Sequence, residues 1–422
     1  MTFAIGVGLF AVGIVVSLVL HEAGHALSAR FFGMKVTRFF VGYGPTLVSF
    51  RRRGVEFGVK AIPAGAFVKI VGMIQQDDEV APADQHRAMW RYPVWKRTVV
   101  MSAGSLVHFG LGLFILWLLF AFVALPDQDR LQSQAVRIDE VASCVQTQWV
   151  VDPATGQQRA CTPRSDPPSA AARAGLRPGD VITAIDGRPV TGWDAMTRTV
   201  RSDGGRTVQL TYQRDGVSRT VPVTLPTAER ERLDVPAGTA ARDVAPADLE
   251  RVGVLGVTPR VPTSVAGPVR AFGLAGRETG TMVAGTFTAL KSLPQKVPAL
   301  LSSLTGAHRD PDTPVSVVGA SRIGGELFAR GDLSAFILML ASLNFFIGLF
   351  NLLPVLPADG GHIAIAWFER ARSWCYARLG RPDPGRVDYL KLAPLTLAVI
   401  VIFGGFALLN AAADIVNPIR VF

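Results

Sequence analysis

Long uncharged stretches divide the chain into membrane-spanning and soluble parts. A helix needs about 20 residues to cross a hydrocarbon core of about 30 Å. Four stretches are long and apolar enough, and we expect transmembrane helices at residues 1–32, 98–125, 333–368 and 392–413. The apolar pattern therefore predicts a polytopic α-helical membrane protein with four transmembrane helices, followed by a short tail at residues 414–422.

The connection between the first two spans, residues 33–97, has the pattern of β-strands. Runs rich in Val, Phe and Ile at residues 41–50, 55–62 and 66–71 are separated by turn sequences with Gly and Pro, which predicts three strands. An open edge of such a sheet could bind an extended peptide by strand addition. A small structural cap is an equally good interpretation of this β-rich loop.

The connection between the second and third spans contains a compact α+β module at residues 164–226. Residues 171–182 predict a helix, a turn and a strand, Trp193 begins a short helix, and a hairpin turns at Asp215-Gly216. The sequences AGLRPGD and IDGRPV make this module resemble a PDZ domain. A PDZ-like domain would bind an extended peptide by strand addition. The alternative is a rigid gate that only occupies space.

The remainder of this connection is less regular. Residues 126–163 are interpreted as an insertion, and residues 227–332 as a charged linker followed by helices on the membrane surface.

Positive charges predict the orientation in the membrane. Residues 30–97 hold twelve Lys or Arg and five Asp or Glu, and the loop at residues 369–391 holds six and three. Lys and Arg concentrate in cytoplasmic loops, so both connections are expected in the cytoplasm. Both termini and the PDZ-like domain would then be extracytoplasmic, on a multi-pass protein of the plasma or inner membrane.

The composition supports a membrane protein with a soluble part. Hydrophobic residues make up 49% of the chain and charged residues only 18%. The net charge of +10 is explained by the basic cytoplasmic loops, and no nucleic-acid motif is present. Of the three cysteines, Cys144 and Cys161 fall in one extracytoplasmic segment, as one disulfide or as two free thiols, whereas Cys375 is expected on the other side.

The first span ends in a motif with metal-site chemistry, His21-Glu22-Ala23-Gly24-His25. A helix places residues i and i+4 on one face, so the two histidines can hold one metal ion between them. Zinc suits two imidazoles and one further protein ligand. Glu22 lies beside the pair, where it can act as a general base on water. A pair of structural histidines is the alternative.

The third span offers the missing ligand. Its helix is broken by two prolines and Gly360-Gly361, and Asp359 is the only acidic residue between Asp332 and Glu369. A carboxylate in an apolar span needs a partner, and a cation at His21 and His25 would supply one. Since both spans run inward, the site is expected in the cytoplasmic half of the membrane.

Other polar residues of the spans have two interpretations each. His362 is an alternative metal ligand, which would leave Asp359 as a proton-relay group. Asn351 could hold the main chain of a substrate or cap its own helix. His108 could be an outer partner of the metal site or bond to a backbone carbonyl.

Taken together, HEAGH at residues 21–25, NLLPVLPADGGH at residues 351–362 and the PDZ-like module resemble bacterial site-2 proteases over essentially the whole chain. These are intramembrane zinc metalloproteases of the stress-response type with one PDZ domain. The resemblance implies one Zn²⁺ held by His21, His25 and Asp359, with Glu22 as the catalytic base and Asn351 as a substrate-positioning residue.

The resemblance also implies a partner. Such enzymes carry out regulated intramembrane proteolysis of single-pass membrane proteins, typically anti-sigma factors already cut by another protease. The chain departs from the family at Ala358, where Leu is usual, and at Ser105 and His108, where Pro and Asn are usual. Two rival functions use the same features: a zinc transporter with the same ligands, and a non-enzymatic PDZ adaptor of the membrane.

Overall fold

The computed structural model describes residues 1–73, 81–152, 157–235, 239, 241–305, 309 and 313–419. The chain forms two compact units, Met1–Val123 with Ala266–Phe422, and Ala124–Val265. The first unit contains helices α1 (Thr2–Phe31), α2 (Val94–Phe122), α6 (Pro268–Leu304), α7 (Val317–Ala329), α8 (Leu333–Asn351), α9 (Asp359–Arg378) and α10 (Tyr389–Val416), with strands β1 (Val36–Arg52) and β2 (Val55–Ile70).

The second unit is built mainly from short strands. It contains helices α3 (Gln128–Ser133), α4 (Ala170–Arg173) and α5 (Trp193–Ser202), and strands β3 (Leu125–Pro126), β4 (Val136–Val141), β5 (Val181–Ile185), β6 (Arg188–Pro189), β7 (Thr207–Arg214), β8 (Val217–Thr224), β9 (Thr227–Glu231), β10 (Leu249–Gly253), β11 (Val257–Pro259) and β12 (Thr263–Ser264).

Among the described residues, four helices of the first unit are long and apolar enough to cross a membrane: α1, α2, α8 and α10. This confirms the number of spans predicted from the sequence. Helix α10 continues to Val416, into the residues expected to form the tail, and residues 420–422 of that tail lie outside the described residues.

The segment predicted as the third span consists of two helices. Helix α8 ends at Asn351, and an irregular segment separates it from α9, which begins at Asp359 and continues to Arg378. The break predicted from the prolines and Gly360-Gly361 is therefore confirmed, and α9 extends past residue 368 into the first ten residues of the expected loop. Pro354 and Pro357 explain the break, since proline lacks the N–H that continues a helix.

The predicted β-rich loop is a single long hairpin. We expected three strands, but β1 and β2 are continuous and antiparallel, with several bulges. Residues 38–41 of β1 pair on one side with residues 66–69 and on the other with residues 56–59 of β2. The hairpin therefore bends back on itself, and a bend rather than a new strand lies at Pro63. Its residues 66–70 form an outer edge.

Helices α6 and α7 occupy the region where membrane-surface helices were expected. Helix α6 packs against α2 and α8, with Ala275 beside Leu116, Ala341 and Phe345 in one buried cluster. Helix α7 packs against α1, where Gly324 contacts Phe10. Helices α6 and α7 therefore pack against three of the four apolar helices, α1, α2 and α8.

The second unit is larger than the module predicted at residues 164–226. Its main sheet has the order β11-β4-β5-β7-β8, with β6 beside β5, so strands before and after the predicted bounds complete it. Its core includes Val136 and Ile138 from the expected insertion and Leu255 from the expected linker. The expected insertion and the first part of the expected linker are therefore parts of the folded unit. Strand β9, at the start of the expected linker, also pairs with β10. The expected hairpin is present as β7 and β8.

Two cross-links hold the second unit. Cys144 and Cys161 form a disulfide. Asp180 lies at the start of β5, where its carboxylate accepts hydrogen bonds from Nε and Nη2 of Arg214, both at 2.7 Å. Burial alone would raise the pKa of Asp180, but the Arg214 guanidinium and the Arg177 amide hold it below its usual value.

Candidate metal centre

Helix α1 brings the two histidines of the HExxH motif to its buried face. The face recurs every three or four residues, as a helix requires, and consists of Gly6, Phe10, Ile14, Ser17, His21, His25 and Ala29. Both imidazoles are almost fully buried, with exposed fractions of 6% and 3%. The motif is therefore aimed into the helical unit and not at lipid or solvent.

The carboxylate of Asp359 reaches this pair from the first residue of α9. Nε2 of His21 lies 3.0 Å from Nε2 of His25, and Oδ2 of Asp359 lies 3.2 Å from each of them. The three groups are the described His, Cys, Asp or Glu side chains whose ligand atoms converge within 4.8 Å. Two imidazoles and one carboxylate thus meet at one point.

The spacing of these atoms fits a zinc ion. Zinc bonds of about 2.0–2.2 Å at tetrahedral angles place neighbouring ligand atoms about 3.3–3.5 Å apart. The observed separations of 3.0–3.2 Å are within a few tenths of an ångström of that value. Oδ2 of Asp359 is buried and makes no other hydrogen bond to the described residues, as expected of an atom directed at a cation.

Helix α2 contacts both histidines of the site. The imidazole of His25 donates through Nδ1 to the carbonyl oxygen of Val100 at 2.7 Å, which leaves Nε2 as the ligand atom. Gly104 lies directly against both rings. A Cβ at this position would stand 2.5–2.6 Å from Cε1 and Nε2 of His21 and from Nε2 of His25.

His108 follows one turn later on α2 and is fully buried. Its ring centroid lies 5.1 Å from that of His21, and its Nδ1 lies 2.9 Å from Oδ1 of Asn344 on α8. Of the two interpretations made from the sequence, the bond to a backbone carbonyl is wrong, since Nδ1 bonds to a side chain and Nε2 has no partner among the described residues, and the role of an outer partner of the metal site stays a prediction.

Glu22 lies on the same turn of α1 as the two histidines. Its carboxylate interacts with His21, His25 and Asp359 and faces the backbone amide of Val68 on the outer edge of β2. The side chain is only partly buried. It therefore lies beside the cluster and next to a strand edge, without joining the three converging ligand atoms.

The other two candidate residues lie apart from the ligand atoms. Nδ1 of His362 contacts the hydroxyl of Tyr389 at 3.2 Å, so the carboxylate of Asp359 and not this imidazole completes the cluster. Asn351 is the last residue of α8, and its Nδ2 donates to the carbonyl of Ile347 at 3.1 Å. Its helix is not unwound at this position.

Comparison with known proteins assigns the family. A family model described as peptidase family M50 matches residues 9–378. The chain belongs to peptidase family M50, the site-2 proteases. Zinc metalloprotease Rip1 of Mycobacterium tuberculosis H37Rv is 39% identical over 427 aligned residues that cover all of both chains. The Rip1 protein of Mycolicibacterium smegmatis matches to the same extent.

A putative zinc metalloprotease of Agrobacterium fabrum is a more distant relative, 28% identical over 84% of this chain and 83% of its own. These relatives and the M50 match identify the protein as a zinc metalloprotease with a Zn²⁺ cofactor. The four apolar helices fit a location in a membrane.

Sequence reasoning missed four contributors to the M50 site. Val100 and Val68 act through backbone groups, which leave no trace in residue type. Gly104 matters because of what its missing side chain permits. Asn344 carries a weak signal, as a polar residue in an apolar span, but its partner depends on how α2 and α8 pack.

Proposed function

We propose that this protein is an intramembrane protease that cuts peptide bonds within the transmembrane segments of single-pass membrane proteins. His21, His25 and Asp359 would hold the zinc ion, and Glu22 would be the catalytic base. The observation that carries this proposal is the convergence of three buried ligand atoms, all within 3.2 Å of one another, from two distant parts of the chain.

The residues supply the parts of a hydrolytic site. Zinc, when bound, acts as a Lewis acid and lowers the pKa of water to about 7. The carboxylate of Glu22 takes the proton from the attacking water and delivers it to the leaving nitrogen of the cleaved peptide. The imidazoles of His21 and His25 and the carboxylate of Asp359 fix the position at which this occurs.

The outer edge of β2, residues 66–70, offers a surface on which an extended substrate could bind. A transmembrane helix protects its own peptide bonds, so it must unwind before it is cut. An extended peptide that paired with residues 66–70 would pass the Val68 amide, and thus the Glu22 carboxylate. Of the two interpretations of this hairpin, we therefore favour substrate binding. We propose Asn351 as a second positioning residue. Its side-chain amide would bind the substrate after breaking its hydrogen bond to the carbonyl of Ile347.

The natural substrate class is proposed from the family resemblance. Anti-sigma factors whose external domain has been removed by another protease are single-pass proteins of the required kind. The strand order of the second unit and its helices α4 and α5 support a PDZ-like domain. We propose that this unit and both termini are extracytoplasmic, and that the metal site lies in the cytoplasmic half of the membrane.

The test is cleavage of tagged single-pass proteins co-expressed with the wild type or with Glu22→Gln. General bases contribute about 10²–10⁴-fold to a rate, so the variant should lose at least about 100-fold in cleavage while its zinc content stays at one ion per chain. Full cleavage by Glu22→Gln would refute the assignment. Zinc flux through reconstituted vesicles, unaffected by this substitution, would favour the transporter, and function without Glu22 or Asp359 would favour the adaptor.

A further inference from the structure

The two metal-site histidines differ in how their second ring nitrogen is satisfied. A metal-bound imidazole donates its other N–H to a carboxylate, a carbonyl or water in nearly all known sites. His25 has such a partner, the carbonyl of Val100 at 2.7 Å. Nδ1 of His21 is buried and has no hydrogen-bond partner among the described residues. Since Nε2 of His21 faces His25 and Asp359, its Nδ1 must carry the hydrogen.

A buried acceptor is present beside His21. Nε2 of His108 is also buried without a hydrogen-bond partner among the residues that the structure describes. The two rings are 5.1 Å apart between centroids, with their planes tilted by 45°. Gly104, one turn before His108 on α2, contacts the Cε1 edge of His21. Helix α2 therefore lies against Cε1 of His21, the ring atom bonded to both Nδ1 and Nε2.

Asn344 determines which nitrogen of His108 is the acceptor. Its Nδ2 donates to the carbonyl of Leu340 at 2.9 Å, so its Oδ1 is the atom 2.9 Å from Nδ1 of His108. The flipped amide would direct its oxygen at the Leu340 carbonyl, where two acceptors would meet. An amide oxygen only accepts, so Nδ1 of His108 carries the hydrogen, and Nε2 has a free lone pair.

We propose that His108 is a positioning residue that accepts the Nδ1 hydrogen of His21, directly or through one water, and so holds His21 in the tautomer that presents Nε2 to zinc. The proposal rests on the proposed role of His21 as a ligand. Asn344 acts one step further out by fixing the tautomer of His108. A line of hydrogen bonds would thus run from α8 through α2 to the zinc ligand on α1.

Two substitutions separate this role from simple packing. His108→Phe keeps a ring but removes the acceptor, whereas His108→Gln places an amide oxygen near the position of Nε2. Both variants lose the present bond to Asn344 equally. The measurement is the zinc dissociation constant of the purified full-length protein in detergent, from competition with a fluorescent zinc chelator, together with the thermal unfolding temperature of each variant.

We expect His108→Phe to weaken zinc binding by about 10–100-fold and His108→Gln to stay within about threefold of the wild type. If His108→Phe does not fold, His108→Leu takes its place. Ser105→Ala is the matched control, because Ser105 is equally buried on α2 and its hydroxyl has no partner among the described residues. It should leave zinc binding unchanged.

Three results would overturn the proposal: wild-type affinity in His108→Phe, equal loss in the Phe and Gln variants, or equal loss in Ser105→Ala. His25→Ala distinguishes this from failure of the proposed site. That variant should lose the zinc ion. If it keeps one, the ligand assignment itself is wrong, whatever His108 does.

Discussion

Gly104 is the residue that lets α2 approach the metal site. The hypothetical Cβ lies 2.5–2.6 Å from ring atoms of His21 and His25, well inside van der Waals contact. Those ring atoms include both proposed nitrogen ligands, so the rings cannot yield without leaving the position beside Asp359. The smallest side chain is therefore already too large at this position.

We expect Gly104→Ala to lose zinc while the protein remains folded. The added methyl group displaces the ligand atoms, so zinc affinity should fall by at least the 10–100-fold typical of damage around a metal site. Zinc content per purified chain measures the effect. Gly110→Ala is the control, because a Cβ at Gly110 on the same helix meets nothing within 4 Å. Equal zinc content in both variants would contradict the close approach.

At this scale the sequence predicted the three converging side chains better than their surroundings. His21 and His25 could be paired because helix geometry alone fixes residues i and i+4 on one face. Asp359 could be found because a lone carboxylate in an apolar stretch needs a partner. The contacts of Gly104 and of His108 with Asn344 depend on how two helices pack, and the spacing within one helix holds no information on that.

At the scale of elements, α1 is held in place by close contact with α7. A Cβ on Gly6 would lie 2.6 Å from Cβ of Phe328 and 3.0 Å from Cα of Gly325. Gly8, two residues along the same helix, faces open space within 4 Å. Because α1 carries the HExxH motif, this contact sets the position of the motif within the unit.

We expect Gly6→Leu to destabilise the protein and Gly8→Leu to have little effect. Forcing a side chain into a packed contact costs about 1–3 kcal/mol, and the two variants add the same apolar volume to the same helix. Unfolding in mixed micelles of increasing SDS content measures the free energy difference between them. Equal stability of the two variants would show that α1 and α7 do not pack closely in the membrane.

Helices and strands were predicted correctly where hydropathy alone determines them. Their ends were missed where the apolar pattern and the positions of proline point to different boundaries. The four apolar helices follow from length and hydropathy alone. The break after Asn351 was predicted from the prolines, but the length of α9, which continues past the apolar residues to Arg378, was not. In the β1–β2 hairpin, Pro63 indicated a strand end, yet bulges absorb the bend and the strand continues.

At the scale of the whole molecule, the orientation in the membrane follows from charge and remains a prediction. The positive-inside bias places the region of Cys375 in the cytoplasm and the β7–β8 hairpin outside. Cys375 is exposed and is the one free thiol, because Cys144 and Cys161 are bonded to each other. The natural chain thus carries a single reactive probe, on the side predicted to be the cytoplasmic one.

Labelling of spheroplasts with a membrane-impermeant maleimide tests this orientation. We expect no labelling of Cys375 until the membrane is permeabilised, because the reagent cannot cross the bilayer to an exposed cytoplasmic thiol. Ser218→Cys, on an exposed position of β8, should label before permeabilisation. Labelling of Cys375 in sealed spheroplasts would show that the orientation is the reverse of the predicted one. The HExxH end of α1 would then lie on the outer side, and the enzyme would cut its substrates near the outer face.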